Sequence, residues 1–223
     1  MTLDLHHAHA WDVSPREAVE VQRRLEPLVR EEPVDWDAVR TVAGLDVSVR
    51  GDRVRAAIVV LDVRSQDVVD EAIWEGPVAF PYVPGLLSFR EVPALLPALE
   101  RLRALPDVLM LDAQGRAHPR RFGLACHLGV LLDRPALGVA KTIFVGRHGP
   151  VGEAKGSGAE LVHNGEVVGM AVRTREKVKP VFVSVGHRVT LRDACLLTVR
   201  LATRYKLPHP THLAHRLSYD GTL

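Results

Sequence analysis

The sequence predicts an α/β fold with one mixed sheet flanked by helices, and three observations predict it. Three Val- and Ile-dense runs, 40–49, 54–63 and 67–75, are joined by the short turns Gly51-Asp52 and Ser65-Gln66. Connections that short join antiparallel neighbours. A short apolar strand at 107–111, a helix at 119–131 and a strand at 136–140 then form a strand–helix–strand unit, which is expected to be parallel and right-handed. A hairpin follows, with Asn164-Gly165 as its turn between Leu161-Val162 and Val167-Val168, the residue pair that two-residue hairpin turns prefer.

The remaining elements fit around this sheet. Ser14-Pro15-Arg16-Glu17 combines an N-cap, a first-turn proline and a capping-box glutamate, so a helix starts there. It runs toward Glu31, with a break expected at Pro27. The Pro- and Gly-containing stretch 77–88 reads as a loop, and 93–104 as a helix with Leu95, Leu96, Leu99 and Leu102 as its apolar side. The segment 146–158 is Gly-rich and irregular; a strand at 181–185, a helix at 190–204 and a Pro-rich tail close the chain. A single domain over 1–223 is expected.

Composition limits the function classes. The chain has 223 residues, 47% of them hydrophobic, and a formal net charge of +2. That charge is too small to announce a nucleic-acid binder, so any basic footprint must come from clustering. Cys126 and Cys195 lie in apolar, helix-like stretches without CxxC spacing and read as reduced thiols. The start has neither a basic n-region nor an apolar core, and no apolar run reaches membrane-spanning length. A cytoplasmic monomer is expected.

The chemistry is announced by acidic residues in or after apolar runs. Asp46 interrupts Val42-Ala43-Gly44-Leu45-Asp46-Val47, and Asp112 follows Val108-Leu109-Met110-Leu111. A carboxylate there is costly unless a cation offsets its charge. Either a paired arginine or a hard metal such as Mg²⁺ would do so, and several converging carboxylates suit Mg²⁺. If the first and fourth strands are adjacent, Asp46 and Asp112 meet. Glu91 has two readings on spacing alone: Ser88-x-x-Glu91 is also a capping box ahead of an apolar helix. Arg116, His118, Arg120 and Arg121 cluster after Asp112, and Lys141 ends the fifth strand on the same edge. Cations there can contact phosphate. His6, His7 and His9 resemble a metal cluster but fit a loose N-terminus better. Arg173, Arg175, Lys177 and Lys179 alternate; if extended they form a basic stripe, on a nucleic-acid path or on a solvated edge.

The run Pro81-Tyr82-Val83-Pro84-Gly85-Leu86-Leu87-Ser88-Phe89-Arg90-Glu91 closely resembles the signature PYIPGFLSFRE of the endonuclease V family. Asp112 to Gly123 resembles its DGxGxAHPRRxG segment, and Gly138-Val139-Ala140-Lys141 and Ser184-Val185-Gly186-His187 also match. The resemblance spans about residues 14 to 215. It departs at Ala113, where the family often has Gly, and at His212, where Arg is common.

The resemblance implies an RNase H-like fold and a Mg²⁺-dependent deoxyinosine 3′-endonuclease, with Mn²⁺ as a substitute. Such an enzyme acts on DNA holding deoxyinosine or other deaminated bases. It cuts the second phosphodiester 3′ to the lesion and leaves a 3′-hydroxyl and a 5′-phosphate. Inosine-containing RNA is a further candidate substrate. The resemblance implies Asp46, Glu91 and Asp112 as metal ligands, with Lys141 and His215 completing the catalytic set. It implies Tyr82, Pro84, Gly85, Leu87, Gly115, His118, Arg120, Arg121 and Gly123 as substrate contacts, Tyr82 being a wedge in the gap left by the flipped base. Two other classes stay open: another RNase H-like nuclease directed at RNA, junctions or flaps, and a non-catalytic nucleic-acid-binding module. The second should have lost an acidic ligand, and all three are present.

Overall fold

The computed structural model describes residues 1–223. Strands β1 (Thr41–Arg50), β2 (Arg53–Asp62), β3 (Val68–Pro77), β4 (Val108–Leu111), β5 (Ala136–Ala140), β6 (Gly158–His163), β7 (Glu166–Val172) and β8 (Val181–His187) form one sheet. Its order is β3-β2-β1-β4-β5-β8-β7-β6. β1–β4 and β4–β5 are parallel, and every other neighbouring pair is antiparallel. The expected mixed sheet is present, with the hairpin and the last strand added to its far edge.

Both faces of the sheet are covered, and the side-chain alternation shows it. Ala43, Leu45, Ile58, Val60, Leu109 and Leu111 pack on one face with helices α2 (Leu87–Glu100) and α3 (Leu124–Leu132). Val42, Ala57, Val59, Leu61, Val108 and Met110 pack on the other with α4 (Leu191–Leu201) and α5 (His209–Asp220). Strands covered on both sides become nearly continuous apolar runs, as in β2 and β4. All nine residues of α3 are buried, the state expected of a helix apolar all round.

Helix α1 (Pro15–Leu25) starts on the expected capping box of Ser14 and Glu17, and gives way to a 3₁₀ turn at Glu26–Leu28, where Pro27 interrupts it. The hairpin turn has Asn164 and Gly165 at φ 55° and 81°, the left-handed pair a type I′ turn requires. Both cysteines are free. No helix is long and apolar enough to cross a membrane.

Five expectations need correction. The helix expected over 119–131 starts at Leu124, because Arg121 takes a left-handed φ of 55° and Gly123 is the N-cap. α2 begins at Leu87 rather than 93, so Ser88 and Glu91 lie inside the helix. Pro93 and Pro97 lie four apart inside the helix, both on its less buried side. The Pro-rich tail folds as α5, with Pro208 at its N-cap and Pro210 in its first turn, where proline is favourable rather than disruptive. The N-terminus is packed, not loose: Leu3, Leu5 and Trp11 pack on the core, and the His6 amide donates to the Leu131 carbonyl at 2.8 Å. The basic stripe does not form. Residues 173–180 are a loop in which Lys177 has φ 56°, and Arg173 turns its guanidinium onto the carbonyls of Val151, Gly152 and Val178.

Gly44 seats α5 on the sheet. A methyl group there would lie 2.1 Å from the Pro210 carbonyl carbon, so strand and helix touch backbone to backbone. Gly44→Ala is expected to destabilise the fold by about 1–3 kcal/mol through overpacking. Urea unfolding of the two proteins measures this, and an unchanged midpoint would contradict the close seating.

Candidate active site

Register sets the site. In the parallel pair β1–β4, Leu45 lies opposite Leu111, so the next residues, Asp46 and Asp112, sit side by side. The Asp112 amide still donates to the Leu45 carbonyl at 3.2 Å. β4 then ends, while β1 continues to Arg50, which opens the sheet beside Asp46. Both side chains share the α5 face by alternation and are largely buried, 11% and 6% exposed.

Neighbouring elements compensate the two charges. Lys141, just beyond β5, places Nζ 2.5 Å from Asp112 Oδ2. From α5, His215 Nδ1 lies 3.2 Å from Asp46 Oδ2, and Ser218 Oγ donates to the same oxygen at 2.5 Å. Ser48 holds α5 in turn by donating to the Ser218 carbonyl at 2.7 Å. Donor atoms of Asp46, Asp112 and His215 all lie within 4.8 Å of one another. Two carboxylates and an imidazole so close suit a divalent cation with a preference for oxygen ligands.

Glu91 approaches from α2. Its carboxylate is outside the set of three but near enough to feel both aspartates. Burial raises it most, and repulsion from Asp46 and Asp112 adds to this, to about 8. Burial also raises Asp112, against the pull of Lys141. The capping reading of Glu91 does not hold: the α2 N-cap is Leu86, without a side-chain cap, and the Ser88 hydroxyl pairs with His127 instead.

Gln114 and Thr142, which follow Asp112 and Lys141 closely in the chain, line a cavity of about 200 Å³, smaller than the ~300–1,000 Å³ of ordinary ligand pockets. Of the expected substrate contacts, Tyr82, Pro84, Gly85, Leu87, His118 and Gly123 line it. Tyr82 is 70% exposed, and the Arg90 guanidinium sits 5.9 Å from its ring centre. Ile143 and Phe144 also border the cavity.

The other expected contacts are engaged within the protein. Gly115 is packed under the site, where a methyl group would meet the Val185 carbonyl at 2.0 Å. Arg120 donates to Gln22 Oε1 and to the Gly85 carbonyl, both at 2.6 Å. Arg121 binds Glu166 at 2.9 Å and the ring and carbonyl of His163. His118 is buried, donates from Nε2 to the Gly85 carbonyl at 3.0 Å, and accepts the Arg120 amide on Nδ1. Burial, helped by Arg120, lowers it to about 4. It is therefore a neutral wall of the cavity rather than a cation for phosphate.

Sequence reasoning missed Gln22 and Ser218. Gln22 is 1% exposed and donates Nε2 to the carbonyls of Gly85 at 3.0 Å and Phe122 at 3.1 Å. It thus ties together two loops that form the cavity. A polar residue on the buried side of α1, with Ala18 and Leu25, was the available signal. Ser218 gave none, because its helix was read as a tail.

Adjacent carboxylates where two parallel central strands part, with a lysine and a histidine on them, define a metal-dependent nuclease. The family model for Endonuclease V matches residues 23–216. Endonuclease V of Roseiflexus castenholzii is 47% identical over 218 residues, 96% of each chain. The crystal structure of Endonuclease V from Streptomyces avermitilis superposes with a TM-score of 0.91 at 46% identity, covering 95% of this chain and 94% of that one. Endonuclease V of Ciona intestinalis, in complex with a 24mer DNA containing an inosine followed by a ribo-adenosine, gives 0.82 at 27% identity, covering 92% and 96%. This chain belongs to the Endonuclease V family, and its fold is the α/β fold of that family's structures.

The pH dependence of stability without metal follows from Glu91. Folded, it holds its proton up to about 8; its ordinary value is 4.5. Between those values the folded chain binds more protons than the unfolded one, so stability falls as pH rises through that window. Glu91→Gln should flatten this fall in chelator-treated protein, leaving only the part due to Asp112. Melting temperature against pH measures it, and an unchanged slope would place the carboxylate elsewhere.

Proposed function

We propose that this chain is a Mg²⁺-dependent repair endonuclease that recognises deoxyinosine in DNA. It hydrolyses the second phosphodiester 3′ to the lesion, leaving a 3′-hydroxyl and a 5′-phosphate. The observation that carries the reading is the convergence of Asp46, Asp112 and His215, together with a cavity bordered by an exposed tyrosine. The inosine-containing DNA bound by the Ciona relative supports the substrate class. A single domain over 1–223, a cytoplasmic location and a monomeric state belong to the same proposal.

Asp46 and Asp112 would hold the cation, with Glu91 completing the carboxylate set and His215 bordering it. Mn²⁺ would fit the same donors. When bound, the cation supplies activation of water and neutralisation of charge on the scissile phosphate. Displacement of the Glu91 proton leaves its carboxylate ionised for this role. Lys141 holds Asp112 in place and is the cation positioned to meet a phosphate oxygen. His215, carried by α5, orients Asp46 and can accept or return a proton at the edge of the site. Tyr82 fills the gap in the duplex when the base leaves the stack. The base enters the cavity, where hypoxanthine differs from adenine by a carbonyl and an N–H.

The ribo-adenosine in the relative's DNA favours testing RNA as well. Purified protein with Mg²⁺ is incubated with DNA and RNA oligonucleotides, each with one inosine, and the ends are mapped. Cleavage directly after the nucleotide 3′ to inosine, at the second phosphodiester, is expected in DNA, and none in inosine-free controls. Cleavage independent of inosine would contradict the reading.

Three variants test the roles. Asp46→Asn and Asp112→Asn should each reduce cleavage to background while circular dichroism stays native; near-normal turnover in either would remove the carboxylates from the mechanism. Tyr82→Ala should slow single-turnover cleavage of duplex inosine DNA about tenfold more than single-stranded cleavage, since base–aromatic stacking is worth ~1–3 kcal/mol. Equal slowing would assign Tyr82 to general binding.

A further inference from the structure

Among the polar side chains of the cavity that have no role in the mechanism above, Ser88 is the one held by a buried histidine. Ser88, in the first turn of α2, is 2% exposed and lines the cavity. Its hydroxyl pairs with Nδ1 of His127 on α3 at 2.9 Å. His127 is fully buried, and its Nε2 lies 2.7 Å from Nε2 of His9. His9 Nδ1 in turn lies 2.7 Å from the Ala10 carbonyl oxygen. Trp11 and Phe89 pack against both imidazoles. Burial lowers both below the ordinary histidine range, His127 most strongly, so each ring is neutral and carries one proton.

The direction of every hydrogen bond in this chain follows. A carbonyl only accepts, so His9 carries its proton on Nδ1. His9 Nε2 is then a bare lone pair, and His127 must carry its proton on Nε2 to meet it. His127 Nδ1 is therefore bare, and Ser88 must donate to it. A hydroxyl has one proton. Ser88 lines the cavity, and with that proton committed its Oγ can present only lone pairs to a ligand there.

We infer that Ser88 is a specificity-determining residue, an obligate acceptor for an N–H on the edge of the base held in the cavity. His127 and His9 are the positioning residues that fix its polarity. The inference rests on the reading of the cavity as the lesion pocket. A 6-oxopurine carries a proton on N1, whereas adenine and unsubstituted purine have a bare nitrogen there. An acceptor on that edge pairs with the first and opposes lone pair to lone pair in the others, and a buried polar group left unpaired is a strong source of discrimination. His9 lies outside residues 23–216, so the N-terminal segment of this chain contributes to base choice from beyond the span of the family model.

The test compares duplexes holding deoxyinosine or purine deoxyriboside, which lacks both the 6-oxygen and the N1 proton. The readout is the ratio of single-turnover rates at saturating Mg²⁺, for wild type, Ser88→Ala and His9→Leu. Wild type should prefer deoxyinosine, and Ser88→Ala should lower the preference at least about tenfold. His9→Leu leaves the cavity atoms untouched but frees the His127 tautomer, so Ser88 can turn its proton to the base; the preference should fall here too. A merely structural role would slow both substrates alike. The variants act from different elements, so misfolding of one leaves the other as the test, with melting curves to identify it. A preference unchanged in the folded variants overturns the inference and leaves the proposed function standing. Failure of wild type to cut inosine DNA overturns both.

Discussion

The structure depends on two carboxylates placed side by side by the parallel register of β1 and β4. With Leu45 opposite Leu111, the aspartates that follow have no other place to go. Taking two like charges out of water is costly, and much of the architecture offsets that cost. Lys141 reaches Asp112 from the end of β5, and His215 and Ser218 reach Asp46 from α5. Gly44 lets α5 come close enough to do so. Glu91 adds a third carboxyl group, which is kept protonated to about 8 by burial and by its two neighbours. The arrangement is a charge imbalance that a bound divalent cation would correct.

The second half of the site is built around one carbonyl. Gly85, at φ 82°, accepts from Gln22, His118 and Arg120. Three donors on one oxygen fix the tyrosine-bearing loop against α1 and the segment after Asp112. The cavity walls are therefore set by backbone held from behind, which is the preorganisation that precise recognition needs. The same contacts explain why Arg120, which read as a surface cation, faces inward onto the loop, while Arg121 is held by Glu166 and His163 of the β6–β7 hairpin.

The sheet and its acidic pair were legible because they rest on local signals. Apolar alternation placed the strands, short turns set the β1–β2–β3 and β6–β7 pairs, and the crossover helix set the parallel β4–β5 pair, while the sequence left the adjacency of β1 and β4 open. What stayed hidden depends on long-range contact. α5 was masked by prolines that are harmless at a helix start, and Ser218 was hidden with it. The capping-box spacing at Ser88 and Glu91 pointed to a helix start, whereas the helix begins earlier and the Ser88 hydroxyl goes to His127. His9 looked like part of a loose histidine cluster, yet it is packed against Trp11 and hydrogen-bonded to His127 across the fold. No spacing rule links residues so far apart in sequence.

The most direct test of the carboxylate pair as the centre of the site is anomalous diffraction from crystals of the protein soaked in Mn²⁺. The account predicts a manganese peak at about 2.0–2.2 Å from carboxylate oxygens of both Asp46 and Asp112, a distance suited to hard oxygen ligands. A map with no peak between these two residues, or with manganese bound only at the N-terminal histidines, would contradict it.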